Sequence, residues 1–152
     1  MIAVTFSLAG CIATPSTPAP TESIAVSTPT PTPTITATPT PSAPQFLPNG
    51  SAQENLPYFD AVNRRVLQVN PSAVGADFIN ALIAAGFARA DMQVTADRTS
   101  VNLPAGSIQF SVKIQGKCLI GQNGAGSDGY HSEVTPPLAT GKCLVGDTVP
   151  IG

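Results

Sequence analysis

Proline decides how much of this chain is free to fold. Ten of its 16 prolines lie at or before Pro48, in a chain of 152 residues. Proline fixes φ and removes a backbone donor, so a segment this dense in it cannot supply helix or sheet to a packed core. From Ile12 to about Glu54 the residues are mainly Thr, Pro, Ser and Ala, including Thr28-Pro29-Thr30-Pro31-Thr32-Pro33-Thr34. The tract has too few large apolar side chains to offset the entropy of ordering, and reads as a disordered linker rich in polyproline II. At ~3.1 Å per residue, about forty such residues reach on the order of 100 Å. Ser/Thr tracts with Pro are also frequent O-glycan stalks, so Thr30, Thr32 and Thr34 are candidate glycan sites, with an unmodified spacer as the alternative.

The remaining stretch, 55–152, is long enough for one modest hydrophobic core. No Lys or Arg precedes Arg64, and this stretch carries all seven basic residues and seven of the nine acids. It is close to neutral, with no basic patch for nucleic acid. Phe59, Val62, Val66 and Val69 recur at helical spacing, with Asp60, Asn63, Arg64 and Gln68 on the wet side, Pro57 at the start and Asn70-Pro71 at the end. A second helix is expected from about Ser72 or Gly75 to Ala85, burying Phe78, Ile79, Leu82 and Ile83. Gly86 then suits a left-handed C′ position. Strand patterns follow. Met92–Thr95 alternates briefly, and Ser107–Ile114 places Ile108, Phe110, Val112 and Ile114 on one face. Gln115-Gly116 fits a hairpin turn into Lys117–Ile120, the Gly-rich stretch Gln122–Gly129 reads as a mobile connection, and Tyr130–Val134 and Cys143–Val145 fit further strands. The near-copies Gly116–Gly121 and Gly141–Gly146 suggest two similar strand edges joined through sulfur. The fold expected is α+β: two N-terminal helices packed on a small antiparallel sheet of four to five strands, preceded by the linker.

The N-terminus adds an address. An apolar run closes on Leu8-Ala9-Gly10-Cys11, immediately before the Thr/Pro tract. The arrangement resembles a bacterial lipobox, in which a peptidase cuts before a cysteine that is then lipid-modified. Residues 1–10 then read as a signal peptide, and the missing basic n-region points to a start further upstream. A diacylglyceryl group on Cys11, carrying acyl chains such as palmitate, anchors the chain to membrane lipid without any spanning helix. No run reaches the ~18–20 apolar residues that cross a bilayer. The expected location is the outer side of the cell membrane, facing the cell wall. With Cys11 used, Cys118 and Cys143 remain of the three cysteines. They can pair outside the cytoplasm, stabilising by roughly 3 kcal/mol, or stay as two buried thiols.

A resemblance extends over roughly Leu56 to Ile151. Asp91–Thr99, Ser107–Val112, Cys118–Gln122, Gly129–Ser132 and Cys143–Gly146 resemble an uncharacterised domain family of actinobacterial secreted proteins and lipoproteins. The resemblance implies an extracytoplasmic domain and no particular activity, and it transfers no catalytic residue.

Polar candidates cluster at Asp128, Tyr130, His131, Ser132 and Glu133, of which Asp128, Tyr130, His131 and Glu133 form the expected binding loop. His131 is the single histidine of the chain, too few for a zinc site built from Cys and His, and no regular acid spacing follows Asp128 for calcium. Neither Ser127 nor Ser132 lies in a nucleophile elbow, and Gly121–Gly126 lacks the Lys-Ser/Thr of a phosphate loop. The reading is a binding module with no catalytic residue, metal or cofactor, whose partner is a wall polymer or another envelope protein. The alternative is a small hydrolase using His131 with Asp128 or Glu133. Tyr58, Phe59 and Tyr130 are either an exposed aromatic patch for wall glycans or core residues, and Arg64-Arg65 reads as a solvated helix face.

Overall fold

A computed structural model describes residues 42–152. Cys11, the signal segment and most of the Thr/Pro linker lie outside the described residues. Helix α1 spans Ala52–Val69 and α2 Gly75–Ala84; the strands are β1 (Met92–Val94), β2 (Ile108–Ile114), β3 (Lys117–Asn123) and β4 (His131–Thr135). All neighbours are antiparallel in the order β1-β2-β3-β4. Helix α1 lies over β3 and β4, and α2 over β1 and β2, giving the expected α+β pair of layers with four strands.

Helix α1 begins well before Pro57. Ser51 Oγ accepts from Glu54 N at 3.3 Å, and Glu54 Oε2 accepts from Ser51 N at 2.9 Å, a reciprocal cap of two orphan donors. That bonding holds the exposed Glu54 carboxyl below its ordinary pKa. Asn55, fully buried, ties down the preceding chain. Its Oδ1 accepts from Leu47 N at 2.9 Å, while its Nδ2 donates to the carbonyls of Leu47, Gly50 and Ser51 at 3.0–3.3 Å. Phe46 is thereby set with its ring 4.8 Å from Phe87. Phe46–Glu54, assigned to the linker by composition, is packed structure instead. Pro57 sits exposed in the second turn, where it forfeits one helical hydrogen bond without ending the helix.

The buried face of α1 also differs from expectation. It consists of Ala52, Asn55, Phe59 and Asn63. Asn63, placed on the wet side by periodicity, is fully buried, whereas Val69 is 80% exposed. In α2 the expected Phe78, Ile79 and Leu82 are buried and Ile83 is half-buried. Gly86, at φ +99°, ends it: Gly86 N donates to Ile83 O and Phe87 N to Leu82 O, which brings Phe87 back onto the helix.

Phe110 occupies the centre of the sheet. Its ring stacks on Phe78 at 4.4 Å and 12°, and lies 5.9 Å from Phe59, so one residue of β2 joins both helices. Across the ladder it pairs with Val94 and Gly121. A Cβ on Gly121 would stand inside the Phe110 ring, so the glycine is the space the ring occupies.

Cys143–Val145 is not the expected strand. Residues Leu138–Gly152 form an irregular strap, held where a side chain replaces a ladder: Gln93 Oε1 accepts from Cys143 N at 2.6 Å and Leu144 N at 3.2 Å. Lys113 Nζ donates to Gly141 O at 3.3 Å. The strap then meets the outer edge of β1 through Val149 N to Val94 O and a bridge between Thr148 and Thr95, which blunts that edge. Cys118 and Cys143 are joined by a disulfide with their Cα atoms 5.6 Å apart. The two near-copies are thus a hairpin strand and a strap, joined through sulfur.

Two outcomes follow. Gly121→Ala should destabilise the domain by ~1–3 kcal/mol, because the added methyl must displace a ring packed on both helices, and chemical denaturation reads this directly. Reducing the disulfide opens a loop of 25 residues. It should lower stability by about 3 kcal/mol, seen as a lower midpoint for the Cys143→Ser chain that added reductant does not lower further.

Candidate functional site

The turn between β3 and β4 carries the residues expected to bind. It is not a mobile connection. Ser127 Oγ is within 3.0 Å of the Gly124 and Gly129 carbonyls, Gly129 N donates to Gly124 O, and Gly126 N donates to Gly106 O at 2.8 Å. Ser127 is thereby committed to holding the turn rather than standing free as a nucleophile. Asp128 is exposed in the left-handed region at φ 53°, a conformation that acidic and amide side chains tolerate.

Beyond the turn the pleat divides the cluster. Successive residues of a strand point to opposite faces. Tyr130 turns toward α1, while His131 and Glu133 are exposed and pair in register with Gln122 and Ile120 of β3. The structure therefore leaves Tyr130 apart from His131 and Glu133, although all lie within a few residues in sequence.

Tyr130 is embedded in a polar network that periodicity did not reveal. Its hydroxyl donates to Asp60 Oδ1 at 2.8 Å and accepts from Asn63 Nδ2 at 3.2 Å, while Asn63 Nδ2 also donates to Phe59 O at 2.9 Å. The ring lies 6.4 Å from Phe110 at 14°, and Arg64 Cζ stands 5.2 Å over its outer side. Burial and the adjacent Asp60 carboxylate hold the phenol well above its ordinary pKa. This group is suited to fastening β4 to α1. The only hint of it in sequence is that Asn63 follows Phe59 by one helical turn.

The other aromatic candidates are core residues. Phe59 is fully buried, and Tyr58 packs on Phe46 while its hydroxyl donates to Ala85 O at 3.3 Å. Arg64 and Arg65 are both exposed, the solvated face expected, with Arg64 also lying over Tyr130. Among the described residues no group of three His, Cys, Asp or Glu side chains could hold a metal ion, and no helix is long and apolar enough to cross a membrane.

Two concavities stand apart from that turn. One, of about 320 Å³, lies at the start of α2 beside Val149–Gly152, where Asp97 Oδ1 already accepts from Gly75 N at 2.7 Å. The other, of about 510 Å³, is a mostly apolar groove between α1 and α2, floored by Val62, Val66 and Ala81 and lipped by Arg65 and Asp77.

The Tyr130 network has a pH signature. Its folded-state pKa is raised above the ordinary 10.0, so its contribution is complete below about pH 10 and lost as pH rises toward the folded value. Tyr130→Phe should cost ~1 kcal/mol at neutral pH and remove that alkaline loss, read from unfolding midpoints across pH.

The model of a domain of unknown function, DUF6993, matches residues 63–147, more than half of the chain. No curated protein and no solved structure matches it. The matched span runs from Asn63 to just past Cys143, taking in the sheet, both disulfide cysteines and Tyr130. The chain belongs to the DUF6993 family.

Proposed function

We propose that this chain is a lipid-anchored module of the actinobacterial cell envelope, displaying its DUF6993 domain beyond the membrane to bind another envelope component. The Cys118–Cys143 disulfide carries the reading. Disulfides persist in oxidising compartments, so the bond speaks for export. It also leaves Cys11 as the odd cysteine, at the junction of an apolar run and a Thr/Pro tract. A lipid at Cys11 gives attachment by two acyl chains, and the tract after it gives reach. The domain works by binding rather than turnover: Ser127 is spent on its turn, and His131 and Glu133 stand exposed, apart from Tyr130.

Intact mass of the protein taken from membranes tests the anchor. The expected species begins at Cys11, carries a diacylglyceryl mass and lacks two hydrogens for the disulfide. Cys11→Ser should move the protein from the membrane fraction to the soluble one. An unmodified Cys11 in a membrane-free protein would refute the reading.

A further inference from the structure

The groove between α1 and α2 ends in apolar side chains, Val69 and Val74, that the core does not use. Val62, Val66 and Val69 recur at helical spacing, yet the sheet is met by Ala52, Asn55, Phe59 and Asn63. Val62 and Val66 are half-buried and pack against the core from the floor of the groove, while Val69 is 80% exposed and Val74, at the N-cap of the facing helix, is 42% exposed. A globular helix turns its apolar stripe to the core; here the row continues past the edge of the core to Val69. Across the groove α2 presents Ala81, Ala84 and Ala85, small residues that leave room for the ridge of another helix.

The lips of the groove carry opposite charges, Arg65 on α1 and Asp77 on α2. Asp77 is fixed in place: its Oδ2 accepts from Val74 N at 3.0 Å and from Asn70 Nδ2 at 3.3 Å. One surface with an apolar floor and one charge of each sign is complementary to itself under a two-fold rotation. The chain enters the domain beside Ser42–Gln45 and Tyr58, at the first turns of α1. The valines at its last turns lie ~20 Å away along the helix axis, clear of that entry.

We infer that this groove is the contact surface of a two-fold dimer of the chain, in which Val69 of each copy packs into the groove of the other and each Arg65 meets Asp77 of the other copy. The inference deepens the proposed function by naming the partner as a second copy. The contact is small and suits a weak dimer, with Kd on the order of 10–100 μM in solution. Confinement by membrane anchors would favour it further.

Sedimentation velocity on the full chain carrying Cys11→Ser tests this without any lipid, so the result does not depend on whether the anchor reading holds. The expected result is a concentration-dependent monomer–dimer equilibrium. Val69→Asp, at a position that contributes nothing to the core, should weaken it at least ~10-fold, since a charge is then carried into an apolar contact. Arg65→Glu should weaken it as well. A monomer at every concentration to ~1 mM, or a dimer unchanged by Val69→Asp in a chain of unaltered circular dichroism, overturns the inference.

Discussion

The contact between the Phe110 ring and the bare Cα of Gly121 is what the rest of the domain depends on. A sheet with helices on one face needs a residue that reaches both helices. In this chain a single ring does so, stacking on Phe78 and meeting Phe59 and Tyr130. The ring lies flat enough to do this only because its ladder partner has no side chain. In a core this small, one aromatic cluster accounts for much of the buried apolar area, and both helices, β1 and β3 meet at its central ring.

Around that cluster the chain is closed by buried polar side chains rather than by more hydrocarbon. Asn55 satisfies four backbone groups of the segment leading into α1, and Gln93 satisfies two in the C-terminal strap. Each turns irregular backbone into packed structure by supplying the partners that a helix or ladder would otherwise give. Asn63 and Tyr130 do the same between α1 and β4. The bonds of Gln93 and of Asn63 with Tyr130 act at long sequence separation, those of Asn55 within eight residues. They make the fold larger at both ends than apolar patterning indicates.

The disulfide belongs to this scheme. Cys143 lies on a strap with no ladder of its own, and sulfur fixes it to β3 beneath. The bond holds the strap where no ladder does. The exposed apolar side chains of the helices, Val69 and Val74, lie by the groove between α1 and α2 and not at the turn containing Tyr130 and His131.

Taken alone, the sequence determined the α+β class, both helices, the β2–β3 hairpin and the cysteines available to pair. Those rest on local signals: proline density, Gly86 after an apolar helix, alternation through β2, and the count of thiols. Three matters were left to the tertiary structure. Which stripe of α1 faces the sheet was decided by the polar network around Tyr130, which favours Asn63 inward over Val69, and no local pattern encodes a partner 67 residues away. Whether Cys143–Val145 pairs as a strand was decided by Gln93, whose side chain takes the two amides first. The cluster at Asp128–Glu133 looked like one site in sequence, and the pleat of β4 sent its members to opposite faces. Proximity along a chain becomes proximity in space only where the backbone's own period allows it.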